Sequence, residues 1–505
     1  MTEANEKRYD EIPYESHPFE ESHPRWLATV AAIFGLKTPP PESARILELG
    51  CAGGGNLVPM AETLPNSTCL GIDLSSRQIE DGKAFIKATG LTNVELRQES
   101  IANVDASYGQ FDYIICHGVF SWVTREVQQK IFEVCRDRLA PNGIAYISYN
   151  TLPGWHMKGM LRDMMRFHAN RFKDPKAQIA QSRALLNVLA KTVPSEGNAF
   201  GMMLKQESEA LRKHSDYYIY HEHLELENDP LYFHEFAERA FQSGLQFLGE
   251  AGVRSMLTDQ LPPDVQAALR EVATNIIYGE QYMDFFRNRT FRQTLLCHKD
   301  VKLNRHLNTD TFSQFNFASS LKPQIEDFDV KSQDPLVFHA PGWPAVTITG
   351  PAWKATMLSL ADAWPEYLPL DRLERTVRER LSAHSAYGRE SSKFVDTMGT
   401  WFTKGIASIS LLPPPCVSRV SERPKAGVVA RTQASKGLRT LTNSLHKMVR
   451  VTDFDASVVE LLDGSNDSAG LTQRLEGWRS KDSSPLETRV DTCLKVLAKA
   501  GFLQA

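Results

Sequence analysis

The sequence predicts an α/β fold with an open parallel sheet, a helical insertion and a large mixed α/β C-terminal half. Short apolar runs alternate with helical patterns between Ala44 and Tyr149, and such alternation builds parallel sheets through right-handed crossovers. After Tyr149 the pattern becomes helical and polar as far as about Arg212. The chain has 505 residues, enough for about three domains.

Each element of the predicted sheet follows from a local pattern. The predicted strands are 44–49, 68–72, 94–97, 111–116 and 143–149, and the predicted helices are 56–64, 76–88 and 125–139. Ser75 followed by Gln78 is a capping-box signature for the second helix, and Pro141-Asn142-Gly143 predicts a turn before the fifth strand. A helix over 232–241 and a strand over 244–249 follow, so an insertion at about 157–212 separates the fifth and sixth strands.

Proline runs at 39–41, 262–263 and 413–415 predict connectors, because consecutive prolines cannot continue a helix or a central strand. The first two runs suggest an N-terminal arm over 1–43 and an α/β domain over 44–260, and the rest of the chain is divided into a mixed segment over 261–340 and a C-terminal domain over 341–505. Within the last of these, 416–450 is strongly basic. That segment is interpreted as a solvated linker face or as a docking surface for an acidic protein substrate.

Composition and charge exclude several classes of protein. Hydrophobic residues make up 42% and charged residues 23%, and 57 basic against 61 acidic residues leave a net charge of −4. A surface devoted to nucleic acid is therefore excluded, and no nucleic-acid partner is predicted. The apolar stretch 26–36 is too short to cross a bilayer and follows no basic segment, so neither a membrane span nor a signal peptide is expected. Seven cysteines without C-x-x-C spacing predict a cytoplasmic location.

The first predicted strand runs into a turn of small residues, with the sequence Glu48-Leu49-Gly50-Cys51-Ala52-Gly53-Gly54-Gly55-Asn56. Small residues let the backbone approach a ligand, and the helix that follows offers free N–H groups. A dinucleotide site favours G-x-G-x-x-G and no carboxylate near the pyrophosphate. An acid two residues before Gly50 instead favours a sulfonium cofactor that carries an amino-acid ammonium. The alternative is a tight strand-to-helix turn that binds nothing.

A carboxylate ends the second predicted strand at Asp73. An acid at this position of a doubly wound sheet accepts both hydroxyls of a ribose. By itself Asp73 is better explained as an acid stabilised by a helix N-terminus. Together with the small-residue turn, the ribose role is favoured.

The turn from Glu48 to Asn56, Asp73 and the run 111–119 resemble motifs of class I S-adenosylmethionine-dependent methyltransferases. The resemblance implies a Rossmann-like sheet with S-adenosyl-L-methionine as cofactor. It implies adenine contacts at Ser100 and Ile101, although most members have an acid where Ser100 stands. The cofactor-binding residues that it implies are Glu48, Gly50, Cys51, Ala52, Gly54, Asn56, Asp73, Leu74, Ser100, Ile101, His117 and Gly118.

A narrower resemblance links the chain to the bacterial protein-lysine methyltransferases. It rests on the runs 9–14, 51–56, 117–123, 149–155 and 221–225, while the run 278–292 is similar to the methyltransferase regulatory domain of that family. The resemblance implies a protein substrate methylated on lysine side chains, such as an outer-membrane protein. It also implies that 261–340 is the regulatory domain.

Lysine methylation requires a neutral amine, and an aromatic, desolvated slot lowers the lysine pKa from about 10.4. Tyr14 lies in an arm that could close over the cofactor, whereas Tyr149 and Trp155 follow the fifth strand and are the preferred slot residues. His117 is interpreted as a general base or as a residue that packs against the cofactor. His221 and His223 are two apart and share no helix face, so no metal site is predicted.

Two other functions stay open. One is a small-molecule methyltransferase, and the other is a cofactor-binding interaction protein with little turnover. The long insertion and the large C-terminal half favour a macromolecular substrate, because a small substrate does not require them. The oligomeric state and the identity of the acceptor are left open by the sequence.

Overall fold

A computed structural model describes residues 16–259, 261–305, 309–381, 393–478 and 484–505. Its largest sheet has seven strands in the order β3-β2-β1-β4-β5-β7-β6. The strands are β1 Arg45–Leu49, β2 Thr68–Asp73, β3 Val94–Gln98, β4 Phe111–Cys116, β5 Leu139–Asn150, β6 Leu245–Glu250 and β7 Phe291–His298. The predicted Rossmann-like α/β class is thereby confirmed.

Strands β1 to β5 pair in parallel, whereas β7 pairs antiparallel with both β5 and β6. Leu47 and Ile114 in the central strands are fully buried, as expected for a sheet covered on both faces. The chain reverses its direction of winding between β1 and β4. In sheets of this kind a ligand crevice opens at that point, beyond the carboxyl ends of the strands.

Four helices flank the parallel part of the sheet, and three of them match the predicted ones closely. They are α1 Pro24–Ile33, α2 Leu57–Thr63, α3 Ser76–Thr89 and α4 Arg125–Arg138. The Ser75 hydroxyl accepts the N–H of Gln78 at 3.2 Å, which caps α3 as predicted. The turn predicted at Pro141-Asn142-Gly143 is instead a bulge inside β5, because the pairing with β4 jumps from Leu139 to Ile144.

The segment between β5 and β6 is helical, as predicted for 157–212, and extends further toward the C-terminus. It contains α5 Trp155–Ala169, α6 Pro175–Thr192, α7 Ala199–Leu211, the short helix Asp216–Tyr218, the π-helix Ile219–His223 and α8 Phe233–Gln242. Leu161, Leu186, Leu204 and Tyr220 form a separate small core that holds α5, α6, α7 and the π-helix together. The insertion is therefore a packed unit.

The domain boundary predicted at residue 260 divides a single sheet. Helices α9 Pro263–Val272 and α10 Ile276–Arg287 follow it, and then β7 returns to lie between β5 and β6. Pro262-Pro263 predicts the boundary, but these prolines stand at the start of α9, and the chain rejoins the sheet as β7 about 40 residues after β6. Residues 261–298 therefore complete the sheet that the first 250 residues begin.

The boundary predicted between 340 and 341 also falls inside a sheet, because β10 Leu336–His339 pairs with β11 Val346–Ile348. This middle region further contains β8 Asn316–Ala318, β9 Lys322–Pro323, β12 Leu368–Pro369 and β13 Ser408–Ser410, with α11 Thr309–Phe312, α12 Pro351–Ala363, α13 Leu370–Leu381 and α14 Phe394–Thr403. Its buried residues belong to the same core as α1 and one face of the large sheet. The middle region is therefore continuous with the sheet domain.

The end of the chain forms a unit with its own core, built around Leu441, Val459, Leu471 and Leu494. It consists of β14 Lys425–Ala426, α15 Val428–Ser435, β15 Thr440–Thr442, β16 Met448–Arg450, α16 Asp453–Leu461, α17 Ser468–Arg474, α18 Leu486–Lys499 and β17 Leu503–Gln504. The basic segment 416–450 thus supplies a helix and a hairpin to this unit and is not a solvated linker. In the part of the chain that is described, no helix is long and apolar enough to cross a membrane.

Candidate active site

A cavity opens at the carboxyl ends of β1, β2 and β4, where the winding of the sheet reverses. Every predicted cofactor-binding residue except Gly54 and Ser100 lines it. The turn after β1 contributes Glu48, Gly50, Cys51, Ala52 and Asn56. The end of β2 and the segments that follow β2, β3 and β4 contribute Asp73, Leu74, Ile101, His117 and Gly118.

The turn after β1 requires small residues because its backbone has positive φ values and because it packs closely against Val119. Gly50 has a φ of +74°, and a Cβ added there would lie 2.4 Å from Cγ2 of Val119. Ala52 also has a positive φ, of +47°, which is strained for a residue with a side chain. The N–H of Ala52 donates to Oδ2 of Asp73 at 2.8 Å, and this bond secures the turn in its shape.

The carboxylate of Asp73 faces the cavity from the end of β2. It accepts the N–H of Ala52 at 2.8 Å and, through Oδ1, the N–H of Ser75 at 2.9 Å. These bonds hold the carboxylate rigidly at the end of β2, where an acid accepts ribose hydroxyls in a doubly wound sheet. Asp73 therefore positions the turn as well as facing the cavity.

Glu48 is a buried acid with one unpaired oxygen. Its Oε1 accepts from Nδ2 of Asn56 at 2.7 Å, whereas Oε2 is buried and has no hydrogen-bond partner among the described residues. Burial raises the pKa of Glu48 to about 8; the hydrogen bond from Asn56 lowers it and the charge of Asp73 raises it further. A buried carboxylate of this kind is stabilised by a cation brought to its free oxygen.

His117 forms part of the cavity wall next to the same turn. Its ring stacks on Phe19 with 3.6 Å between centroids, and its Nδ1 lies 2.8 Å from the hydroxyl of Tyr146. Burial lowers the pKa of His117 to about 3, so the imidazole is neutral and weakly basic. This environment favours the packing role over the general-base role.

A strap formed by residues 16–23 runs against the turn and the cavity. The N–H of Gly55 donates to the hydroxyl of Ser16 at 2.7 Å, and the N–H of Phe19 donates to Oδ1 of Asn56 at 2.9 Å. Ser16 and Phe19 both line the cavity. Tyr14 lies outside the described residues, so its role remains a prediction.

The structure does not bring Tyr149 to the cavity. Its ring stacks on Phe236 at 4.0 Å in the core, and its hydroxyl lies 3.0 Å from the hydroxyl of Thr294. Trp155 is buried behind the cavity wall, with its ring edge-on to Trp122 at 6.2 Å between centroids. Trp122, not Trp155, lines the cavity.

Gly54 and Ser100 stand beside the cavity and not in its wall. Gly54 has a φ of +75° and packs close to Leu96, which explains the glycine without a ligand. Ser100 caps a short turn by accepting the N–H of Ala102 at 3.2 Å. Glu99, one residue earlier, lines the cavity, so the acid that the family pattern suggested at Ser100 is offset by one position.

Several lining residues are not among the predicted site residues. Trp122 and Val123 follow β4, and their run carries only a family resemblance in the sequence. His221 and Glu222 come from the π-helix of the insertion, about 100 residues further along the chain. Burial raises the pKa of Glu222 to about 7, although the nearby charges of Lys158 and Arg162 lower it. The spacing of His221 and His223 indicates that they do not share a metal ion, and it does not predict that His221 lies in the cavity wall.

The residues present fit S-adenosylmethionine. The free oxygen of Glu48 matches an ammonium, Asp73 presents a fixed carboxylate for ribose hydroxyls, and Leu74 and Ile101 offer apolar surface to a base. Among the described residues, no three His, Cys, Asp or Glu side chains are grouped to hold a metal ion. Sheet and cavity together define a class I methyltransferase.

Comparison with protein families supports this class directly. The family model described as a methyltransferase domain matches residues 46–143. A predicted methyltransferase regulatory domain matches 215–298, so this domain begins in the insertion and ends with β7 and does not have the predicted bounds 261–340. The C-terminal winged helix domain of PKMT matches 422–501.

Relatives cover almost the whole chain. An uncharacterized protein of Rickettsia prowazekii is 37% identical over 486 residues, which is 95% of this chain and 87% of that protein. PKMT2 from Rickettsia typhi, solved in complex with AdoHcy, is 31% identical and superimposes with a TM-score of 0.88. The superposition covers 97% of this chain and 100% of that chain. The chain therefore belongs to the PKMT family of S-adenosylmethionine-dependent protein-lysine methyltransferases.

Proposed function

We propose that this enzyme methylates lysine side chains of a protein, with an outer-membrane protein as the candidate substrate. The observation that carries the proposal is the similarity to PKMT2 over nearly the whole chain, including the insertion and the C-terminal unit. A methyltransferase acting on a small molecule has no need of either region. The aromatic residues in the cavity wall are consistent with a lysine acceptor.

The acceptor would enter between the strap and the insertion. Phe19 from the strap, Trp122 after β4 and Glu222 from the π-helix line the part of the wall that the cofactor-binding strands do not supply. Aromatic faces bind an ammonium and exclude water from a neutral amine. Trp155 supports this wall indirectly, through its edge contact with Trp122.

Bound S-adenosylmethionine supplies an electrophilic methyl group on a sulfonium sulfur. The side chains of this protein would remove a proton from the lysine ammonium and align the neutral lysine nitrogen with that methyl group. Alignment supplies much of the acceleration in a displacement of this kind. Glu222 is the proposed proton acceptor, because it lies in the cavity wall with a pKa of about 7.

The compartment of the enzyme is proposed from its thiols. All seven cysteines are free and buried in the structure. Free thiols are typical of a reducing compartment, which supports the predicted cytoplasm. An outer-membrane protein would then be modified before it leaves that compartment.

The proposal is tested with labelled S-adenosylmethionine and bacterial protein extracts, followed by mass spectrometry of the labelled residue. We expect methyl groups on lysine nitrogen. Because Glu222 is the proposed proton acceptor, Glu222→Gln should lower kcat about 100-fold, with an unchanged dissociation constant for the cofactor. Glu227→Gln, at an exposed position that does not line the cavity, is the matched control. Label on carboxylates, glutamine or a metabolite would contradict the proposed acceptor and leave the cofactor site standing.

A further inference from the structure

The side chain of Asn56 joins the strap to the cofactor turn. Its Oδ1 accepts the N–H of Phe19 at 2.9 Å, and its Nδ2 donates to Oε1 of Glu48 at 2.7 Å and to the Ser22 hydroxyl at 3.0 Å. A backbone N–H can only donate, so the atom of Asn56 that faces Phe19 must be the oxygen. The orientation of the amide is therefore settled by its partners.

The C-terminal unit reaches the same amide. The hairpin of β15 and β16 carries His446 at its tip, and Nε2 of His446 lies 2.9 Å from Oδ1 of Asn56. Because Oδ1 accepts, Nε2 of His446 must carry the proton and donate it. His446 is 4% exposed, and its Nδ1 has no hydrogen-bond partner among the described residues.

The hairpin tip is held in shape before it meets Asn56. Oδ1 of Asn443 accepts the N–H groups of Leu445 at 3.1 Å and of Lys447 at 2.9 Å, and its Nδ2 donates to the carbonyl of Ala500 at 2.7 Å. His446 has a φ of +60°, in the left-handed region. A residue other than glycine keeps this conformation when the surrounding structure imposes it.

We propose that His446 is a positioning residue for the cofactor site, acting through Asn56 on Glu48. The donor at Nε2 holds the oxygen of Asn56 and thereby keeps Nδ2 on Oε1 of Glu48. Oε2 of Glu48 then stays free for the ammonium of the cofactor. The inference rests on the methyltransferase class and on Glu48 as the acceptor of the cofactor ammonium, and it makes the C-terminal winged helix unit a part of the cofactor site.

A pair of variants of the full-length chain tests the donor. His446→Gln keeps an N–H that can reach Asn56, whereas His446→Leu removes it, and both variants carry the same backbone strain at φ +60°. We expect the dissociation constant for S-adenosylhomocysteine, measured by calorimetry, to rise about tenfold for His446→Leu and less than threefold for His446→Gln. The KM for S-adenosylmethionine should follow, with kcat at saturating cofactor unchanged.

Thermal unfolding without ligand separates positioning from folding. A third variant, His446→Asn, accepts a positive φ readily but is too short to reach Asn56, so it should bind as weakly as His446→Leu even if the leucine variant does not fold. Wild-type affinity in the folded donor-free variants would overturn the proposal. Equal losses in His446→Gln and His446→Asn would overturn it as well, because they would show that the ring shape and not the donor matters.

Discussion

Two clusters of buried ionisable residues lie in the sheet domain, and they differ in how completely their atoms are paired. On β7 the guanidinium of Arg292 meets Glu250 at 2.6 Å, Asp284 at 2.8 Å and Glu280 at 3.1 Å. At the cofactor turn, Oε2 of Glu48 has no partner among the described residues. The first cluster ties β6, β7 and α10 together, whereas the second leaves an acid ready for a ligand.

Complete pairing in the Arg292 cluster contributes to stability, whereas the unpaired oxygen in the Glu48 cluster is available for binding. A buried charge that is fully paired stabilises the arrangement around it, and loss of one partner leaves the others exposed to the full cost of desolvation. A buried oxygen that is unpaired destabilises the free protein and is explained when a ligand completes it. Variants in and around the two clusters test these statements, beginning with the largest expected effect.

Removal of Arg292 should be the most destabilising change. Arg292→Met removes the cation that three buried carboxylates share, of which Asp284 keeps Arg289 at 3.0 Å, so we expect the free energy of unfolding to fall by about 3–5 kcal/mol. Arg97→Met is the matched control, because Arg97 pairs with Glu95 at the surface. The control should lose less than about 1 kcal/mol in the same urea titration. Similar losses in the two variants would remove the distinction between the clusters.

Glu48 should make the cofactor-free protein less stable as the pH rises. Its pKa is about 8 in the folded chain, whereas an unperturbed glutamate has a pKa of 4.5, so the folded state holds more protons between these values. The contribution of protonated Glu48 to the free energy of unfolding is fully present below pH 4.5 and is lost as the pH rises toward 8. Between pH 5 and 7 the wild type should therefore lose about 2–3 kcal/mol relative to Glu48→Gln. Parallel stability curves for the two proteins would contradict a buried, unpaired acid.

Phe19→Ala should weaken cofactor binding by a moderate amount. The variant removes the ring that stacks on His117, a contact worth about 0.5–1.5 kcal/mol. We expect the dissociation constant for S-adenosylhomocysteine to rise roughly threefold to tenfold. Phe167→Ala is the control, because the ring of Phe167 is 81% exposed. An affinity equal to that of the control would show that the strap does not contribute to the site.

The smallest effect is expected at the surface link between the strap and the C-terminal unit. Lys447 and Glu20 form an ion pair of 2.9 Å in which both side chains are nearly half exposed. Lys447→Met should change cofactor affinity by less than about 0.5 kcal/mol, and added salt should remove the difference. A larger loss would shift the coupling between these regions from the buried His446 to the surface pair.

The sheet and the cofactor turn could be predicted because their patterns are local. Strand alternation, the small residues after Glu48 and the acid at Asp73 all lie within short stretches of sequence. Tyr149 could not be placed in this way, since neighbouring strand residues point to opposite faces. Its neighbour Ser148 accepts the N–H of Gly118 beside the cavity, while Tyr149 points into the core.

The remaining site residues come from distant parts of the chain. Phe19 precedes the sheet, Glu222 belongs to the insertion, and His446 follows Asn56 by 390 residues. No periodicity connects such positions, because only the packing of whole units brings them together. For the same reason the predicted boundaries at 260 and 340 cut through sheets whose strands are separated along the chain.

The proposed ion pair between Glu48 and the ammonium of S-adenosylmethionine is the defining interaction of the cofactor turn. It is tested most directly by calorimetric titration at pH 7 in buffers of different ionisation enthalpy. With a pKa of about 8, Glu48 is mostly protonated before binding and ionises when the ammonium arrives. We predict release of between about half and one proton for each cofactor bound, and no such release from Glu48→Gln. Tight binding without proton release by the wild type would contradict the account.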